Sequence, residues 1–352
     1  MERDPVIGCI LGTAAGDALG LPYEGLSPAR IGKLVKGSWH HRLLFGHGLV
    51  SDDTEHTCFM AQALLASPDD PDEFEKRLSW SLRWWLLGLP AGVGLATLKS
   101  IFKLWIGFPP EKSGVFSAGN GPAMRSALLG VVFGDSPERL KEFVRRSTRV
   151  THSDPKAYFG ALAVAVAAHH STKAKQTSGD AFLESLKKFL EEEPAEEFLE
   201  LIEKASLSAT KGDSVSTFAA SIGCSKGISG FTYHTVPCVI QTWLRHPTNF
   251  RSGVEDILSA GGDTDTTGAI LGSIIGAGVG KDGIPGEWLD GIIEWPRSIR
   301  WMEELGNKLA RLLDGDTNVG TQSLFVPGVL IRNAIFLMIV LAHGLRRLAP
   351  PY

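Results

Sequence analysis

Two short stretches of the sequence concentrate carboxylates and hydroxyls in a pattern that suits cation binding. One reads GGDTDTT over residues 261–267 and the other reads SDDT over residues 51–54, and each is followed by an apolar segment of helical length. A helix cap needs only one such side chain. Carboxylates placed side by side repel each other unless a cation compensates their charge. A capping role stays open for each motif alone, but their surplus of oxygen ligands predicts a metal site.

The donor types restrict the choice of metal. The two motifs supply four aspartates with hydroxyl neighbours and no thiolate, and only His56 lies nearby in the sequence. All-oxygen shells suit hard ions such as Mg²⁺, Mn²⁺ or Ca²⁺ rather than zinc. Four carboxylates are enough for a pair of divalent ions a few Å apart.

Three further segments carry side chains suited to substrate contact. The glycine-rich turn SAGNGP, residues 117–122, offers backbone amides to a phosphate, although an ordinary loop remains open. His152 precedes an alanine-rich helix, where a cap or core residue is the commoner role. Glu24 lies on a loop between proline and glycine, which suggests a mobile segment.

Helical signals dominate the elements that must position these residues. Apolar segments of helical length recur while alternating β-branched runs are scarce, so we predict an all-α fold. The predicted helices cover residues 6–19, 54–65, 74–86, 121–132, 157–169, 182–190, 198–208, 235–245, 254–259, 267–279 and 299–313. The polar segment 171–193 predicts an excursion on the surface.

Glycines recur every fourth residue in the first helix and in the helix after GGDTDTT. They stand at positions 8, 12, 16 and 20 and at positions 268, 272, 276 and 280. This spacing keeps them on one strip of each helix. Each glycine costs about 1 kcal/mol of helix propensity relative to alanine, which makes sense where helices approach closely. We therefore predict that two central helices meet beneath the site.

Composition sets the class of protein. With 352 residues, 43% of them apolar, the chain can bury a large core, and we predict one domain over residues 1–352. A net charge of −4 without a basic stripe argues against a dedicated nucleic-acid binder. Four cysteines without CxxC spacing, and no signal-peptide layout, favour a cytoplasmic protein with reduced thiols.

The most apolar stretch, AIFLMIVLA at residues 334–342, is shorter than the roughly 20 residues that a membrane span needs. Arg332 and Asn333 interrupt its upstream side. We therefore expect a buried C-terminal helix around residues 326–346, packed on the domain. We also expect no membrane association and a monomer.

Taken in order, GDALGLPYE, SDDT, SAGNGPAMR, THSDP and GGDTDTTGAILG resemble the ADP-ribosylglycohydrolase family, which includes the dinitrogenase reductase-activating glycohydrolase. The motifs extend from residue 16 to residue 272, and the stretch after about residue 320 lies outside them. The resemblance implies a compact, orthogonal all-α fold with two Mg²⁺ or Mn²⁺ ions. It also implies cleavage of the bond between C1″ of ADP-ribose and its acceptor, on a protein or a small molecule.

The resemblance also implies roles for individual residues. The metal ligands would be Ser51, Asp52 and Asp53 in one set and Asp263, Asp265 and Thr266 in the other. Ser117, Gly119, Asn120 and Gly121 match the turn that binds the diphosphate, His152 matches the histidine of the ribose pocket, and Phe116 is a candidate for holding the adenine. Glu24 matches a loop glutamate that approaches the scissile linkage in some members.

The chemistry fits these residues, because ribosyl transfer develops oxocarbenium character and needs a positioned water. Asp53 and Glu24 are the two candidates for the general base. Two alternatives remain open: a non-catalytic protein that binds ADP-ribose, and a metal-dependent phosphohydrolase that cleaves the diphosphate. The sequence does not disclose the acceptor linkage.

Overall fold

The computed structural model describes residues 5–346, and the prediction of an all-α fold is confirmed. The described chain forms eighteen α-helices: α1 Pro5–Gly20, α2 Pro28–Leu34, α3 Asp52–Ala66, α4 Pro71–Leu87, α5 Leu95–Trp105, α6 Pro110–Ser113, α7 Ala127–Phe133, α8 Pro137–Arg149, α9 Pro155–Lys173, α10 Gly179–Phe189, α11 Glu196–Lys211, α12 Val215–Ser221, α13 Thr232–Arg245, α14 Phe250–Ser259, α15 Thr264–Val279, α16 Gly286–Asp290, α17 Ile299–Leu313 and α18 Val326–Arg346. Three short 3₁₀ turns accompany them, at Leu21–Tyr23, Ala123–Arg125 and Lys281–Gly283. Among residues 5–346 the structure contains no β-strand, only isolated β-bridges between loop segments.

Polar caps and proline set several of the helix starts. The Asp70 carboxylate accepts hydrogen bonds from two amides of the first turn of α4. The Asp154 carboxylate and the Ser298 hydroxyl each accept one such bond, at the starts of α9 and α17. Such caps satisfy amides that have no partner inside the helix, and proline suits the first helical position. One predicted helix is divided: residues 121–132 form a 3₁₀ turn and then α7.

The two glycine strips meet, as predicted. A Cβ atom built on Gly12 would lie 2.1 Å from the carbonyl oxygen of Gly272, and one built on Gly16 would lie 1.9 Å from that of Gly268. Helices α1 and α15 therefore touch backbone to backbone and run antiparallel. This direction brings the end of α1 beside the start of α15, which is where Asp263 and Asp265 lie.

The C-terminal helix differs from the prediction that it is buried. Two helices of the described chain are long and apolar enough to cross a membrane, and one of them, residues 5–23, is 94% buried in the core. For Val326–Arg346 the buried share is 22%. Its Arg332, Asn333 and Phe336 are buried against the domain, whereas most of its aliphatic side chains face outward. The composition of this segment predicts an apolar helix, but it does not predict how much of the helix the rest of the domain buries.

Candidate active site

Helix α3 begins at a carboxylate supplied by another helix. Asp17, in the last turn of α1, accepts hydrogen bonds from the backbone amides of Ser51 and Thr54, at 2.9 and 3.2 Å, and from the Thr54 hydroxyl at 2.5 Å. Burial raises the pKa of Asp17 to about 7, although these hydrogen bonds oppose the shift. Asp17 thus connects the SDDT motif to the glycine seam, which is the backbone contact between α1 and α15. The sequence alone does not predict this role for Asp17.

Asp53 is buried and is held by groups from both acidic motifs. Its Oδ2 atom accepts hydrogen bonds from the Ser51 hydroxyl at 2.9 Å and the Thr266 hydroxyl at 3.3 Å. Its Oδ1 atom has no hydrogen-bond partner, and the same is true of Oδ1 of Asp265. The predicted ligands of the two motifs therefore lie together, with two buried carboxylate oxygens pointing at no donor.

The second acidic motif is connected to the glycine-rich turn. Asn120 donates from its side-chain nitrogen to Oδ2 of Asp263 at 2.6 Å and to the hydroxyl of Thr235 at 3.0 Å. Its backbone amide donates to the carbonyl of Gly230 at 2.9 Å. Asn120 therefore fixes the turn against the start of α15. The backbone amide of Asn120 is already hydrogen-bonded within the protein, so it is not available to a phosphate.

The electrostatics of the cluster fit a hard cation. Burial raises the pKa of Asp53 and Asp265 well above the usual range, and the charges of Asp52 and Glu24, respectively, raise it further. A divalent ion would relieve this repulsion and partner the two free oxygens. However, no three His, Cys, Asp or Glu side chains of residues 5–346 already converge closely enough to hold an ion. The ligands would have to tighten around it.

Two glycines with positive φ place Glu24 at the site. Gly261 and Gly262 have φ angles of 67° and 86°, and a Cβ on Gly262 would lie 2.0 Å from the carbonyl oxygen of Ile228. Gly262 also exchanges backbone hydrogen bonds with the Glu24 loop, through the amide of Gly25 and the carbonyl of Leu26. The backbone of the loop is therefore fastened to Gly262 at the two residues that follow Glu24. The sequence, which suggests a mobile segment, does not predict these bonds.

His152 is oriented by a buried arginine. Arg125 donates to the Thr151 hydroxyl at 2.7 Å, and that hydroxyl lies 2.9 Å from Nδ1 of His152. We assign the ring proton of His152 to Nε2, because the hydroxyl that accepts from Arg125 then donates its own proton to Nδ1. Burial and then the charge of Arg125 lower the pKa of His152 to about 3, so the ring is neutral.

The ring of His152 packs on the glycine-rich turn. A Cβ on Gly119 would lie 2.9 Å from its Nε2 atom, and a Cβ on Gly121 would lie 3.0 Å from its Cε1 atom. Neither glycine has a positive φ angle, so close approach rather than backbone conformation is what excludes a side chain. The Nε2–H donor and the turn thus form one wall.

One cavity of about 340 Å³ brings most of the predicted residues together. It is lined by Glu24, Asp52, Asp263, Asp265, Thr266, Ser117, Gly119, Asn120, Gly121 and His152, and also by Gly92, Gly94, Leu95, Ala96, Thr97, Met124 and Gly230. Ser51 and Asp53 lie behind this lining. Phe116 is 78% exposed and lines a neighbouring groove instead, so its predicted contact with adenine stays a prediction.

Some residues reach the cavity without having been predicted: Gly92 and Gly94 before α5, residues 95–97 in its first turn, Met124 and Gly230. None of these residues is charged, and only Thr97 carries a hydroxyl, so little in residue type marks them. Only the packing of α5, of the 3₁₀ turn before α7 and of the loop before α13 brings them to the wall.

The matched family model decides the identity of the fold and its chemistry. The model described as ADP-ribosylglycohydrolase matches residues 2–318. The chain belongs to the ADP-ribosylglycohydrolase family. It is a glycohydrolase that acts on ADP-ribose linkages.

Its relatives cover nearly the same length. An uncharacterized protein of Archaeoglobus fulgidus is 32% identical over 325 residues, which is 86% of this chain and 95% of the relative. The ADP-ribosyl-[dinitrogen reductase] glycohydrolase of Rhodospirillum rubrum is 27% identical, with 82% and 90% covered. A solved structure titled "ADP-ribosylglycohydrolase-related protein complex" superposes with a TM-score of 0.63 at 26% identity, covering 88% of this glycohydrolase and 98% of that chain.

Proposed function

We propose that this glycohydrolase hydrolyses the bond between C1″ of ADP-ribose and an acceptor on a protein or a small molecule, assisted by two divalent ions. The observation that supports it best is the composition of the single cavity. Carboxylates at the starts of α3 and α15 form one wall, while the glycine-rich turn and His152 form another. The carboxylates, with their ions, would contact the ribose hydroxyls, and the hydrogen-bond donors of the other wall would contact the diphosphate.

The carboxylate wall would hold the ions. We propose Ser51, Asp52 and Asp53 as one set of ligands and Asp263, Asp265 and Thr266 as the other, since Asp53 and Asp265 each keep one buried oxygen without a partner. Bound Mg²⁺ or Mn²⁺ would supply positive charge that orients ribose hydroxyls and acidifies water. With the ions bound, every carboxylate of this wall would be ionised, because a carboxylate must lose its proton to bind a metal ion.

The wall formed by the glycine-rich turn and His152 would bind and orient the substrate. His152 directs an Nε2–H donor along the turn, and burial keeps the ring neutral, so it donates one hydrogen bond without adding charge. Gly119 and Gly121 leave room for the ring of His152, and the turn would offer its backbone amides to a phosphate or ribose oxygen. Asn120 keeps this turn at a fixed distance from Asp263 through its short hydrogen bond.

Glu24 is the better placed of the two candidate bases. Its side chain is exposed and lines the cavity, whereas Asp53 is 1% exposed and lies behind the lining. A carboxylate that takes a proton from attacking water must reach that water directly or through one other water. We therefore propose Glu24 as the base and Asp53 as a ligand that positions the cation.

Product analysis tests the proposed function. The purified protein is incubated with ADP-ribose joined to arginine, serine, O-acetyl and nucleic-acid acceptors, with Mg²⁺ or Mn²⁺ present. Free ADP-ribose with an intact acceptor supports glycosidic cleavage. Release of AMP and a ribose phosphate would mean diphosphate cleavage, and binding without any product would mean a regulator; either result would overturn the proposal.

A further inference from the structure

The exposed large apolar side chains are concentrated on one connected surface. Most of those that the structure describes lie in four places: at Phe45, within residues 80–116, at Trp295 and within residues 325–345. The exceptions are Leu207, Ile293 and Leu313. Isolated exposed apolar residues are ordinary, but a contiguous patch of this extent marks a binding surface.

Contacts join these segments. A groove runs between α4 and α18, lined by Trp80, Trp84, Val326 and Leu330. Trp84 also contacts Trp105 of α5, with ring centroids 6.0 Å apart. The surface thus continues from the C-terminal helix through α4 to α5.

The other end of the surface lies at a tight turn. Phe45 is 95% exposed and borders a groove shared with Ile339 and Ala342 of α18. Leu44 and His47 exchange two backbone hydrogen bonds, which makes Phe45 the tip of a two-residue turn with a φ angle of 48°. A non-glycine residue is uncommon in this conformation. Here it presents an aromatic side chain to the outside.

The same surface is basic. Of the residues that the structure describes, 25–50, 76–110 and 317–346 contain 11 lysines and arginines and no aspartate or glutamate. Of these cations, Arg332 is buried against Glu294, and Lys76 and Arg77 pair with Glu73. Lys99 and Lys103 border Phe102, and Arg42 borders Phe45. In the described chain, no acidic side chain lines any of the three grooves along this surface. Apolar side chains set among cations complement an anionic lipid interface.

We propose that this surface docks the glycohydrolase on an anionic lipid bilayer, with α18 lying in the plane of the interface. The helix stands outside the matched family domain, which ends at residue 318. This proposal replaces the expectation of no membrane association, which rested on the length of the apolar run alone.

The contacts of α18 favour lying on the bilayer over spanning it. Arg332 pairs with Glu294 at 2.7 Å and donates to the carbonyl of Val50 at 2.6 Å, and Asn333 donates to the carbonyl of Gly88 at 2.8 Å. A helix withdrawn to cross a membrane would leave a buried carboxylate unpaired and carry an arginine into hydrocarbon. The docked helix instead keeps these bonds and exposes Met338 and Leu341, at 62% and 58%.

Flotation of the full-length protein with vesicles tests this docking. We expect binding to phosphatidylcholine–phosphatidylglycerol vesicles, weaker binding to pure phosphatidylcholine, and partial release when salt rises from about 0.1 to 1 M, because the Debye length falls from about 10 to 3 Å. The double variant Met338→Glu/Leu341→Glu should lower the bound fraction about tenfold or more, and Lys99→Glu/Lys103→Glu should lower it only on anionic vesicles.

The matched control is Leu207→Glu, because Leu207 is 53% exposed on α11, outside this surface. It should bind vesicles like the wild type, and all variants should keep the wild-type melting temperature. Wild-type protein that does not float, or α18 variants that float normally, would overturn the proposal. A different result would also overturn it: wild-type protein that does not bind vesicles but is a dimer in light scattering, with α18 variants that are monomers. The apolar surface would then be covered by a second copy of the chain. Binding that resists alkaline carbonate extraction would also overturn it, in favour of a spanning helix.

Discussion

A methyl group placed in the glycine seam should destabilise the whole fold. In Gly272→Ala the new Cβ atom would lie 2.2 Å from the carbonyl oxygen of Gly12 and 2.9 Å from its carbonyl carbon. Both atoms belong to the backbone of α1, so no side-chain rotation can relieve the clash. The two helices must separate by about 1 Å to restore an ordinary contact.

The cost can be set against the gain in helix propensity. Alanine favours a helix by about 1 kcal/mol over glycine. Overpacking of a dense core typically costs about 1–3 kcal/mol, and backbone atoms yield less than side chains do. Because backbone atoms receive the clash, we take the upper end of that range, about 3 kcal/mol, and after subtracting the propensity gain we expect a net loss of about 2 kcal/mol. This corresponds to a fall in Tm of about 4 °C if each kcal/mol shifts a large domain by about 2 °C.

Thermal unfolding by circular dichroism measures this, with Gly32→Ala as the control. Gly32 lies in α2 with nothing within 4 Å of a built Cβ, so its substitution should be neutral or stabilising. The double variant Gly12→Ala/Gly272→Ala should cost less than the sum of its parts, because both methyl groups widen the same seam. A Gly272→Ala protein that melts at or above the wild-type temperature would refute the close contact.

Three further predictions concern the site. Asp53→Asn should lower both metal content and turnover, whereas Glu24→Gln should retain metal and lose about 10²–10⁴-fold in turnover; equal metal loss in both, or normal hydrolysis by Glu24→Gln, would contradict the assigned roles. Gly119→Ala should raise KM about tenfold or more, because its Cβ would displace the ring of His152, while Gly94→Ala, whose Cβ meets nothing closer than 3.9 Å, should change KM little. The folded pKa of His152, about 3, lies below its unfolded value of about 6.5, so its contribution to stability is complete above pH 6.5 and is lost as the pH falls toward 3. The loss approaches about 1.4 kcal/mol per pH unit, and His152→Gln should show a shallower fall in Tm between pH 6.5 and 4; equal slopes would contradict it.

The sequence predicted best what is encoded locally. The fourfold glycine spacing identified α1 and α15 as close partners, because a helix converts that spacing into a strip whatever surrounds it. Caps and motifs likewise placed the carboxylates at the starts of α3 and α15. By contrast, α8 (PERLKEFVRRSTR) was not predicted, since its charged residues hide the buried stripe formed by Leu140, Phe143 and Val144.

Features that depend on contacts between distant segments could not be predicted. Asp17 caps α3 from another helix, and the Arg125–Thr151–His152 chain links separate motifs. Gly179 stands in a polar segment that suggests tolerance of a side chain, yet a Cβ there would lie 1.8 Å from the hydroxyl of Ser206. Local composition does not report which residue from elsewhere fills the neighbouring space.

The most direct test of the proposed function is hydrolysis by protein stripped of metal. After chelation and dialysis, the wild-type protein is assayed on the ADP-ribosyl linkages with no metal and then with Mg²⁺ or Mn²⁺ restored, and free ADP-ribose is quantified. We predict no release without metal and recovery of ADP-ribose release from at least one linkage when metal is added. Undiminished release from the stripped protein, or AMP as the product, would contradict metal-assisted cleavage at C1″.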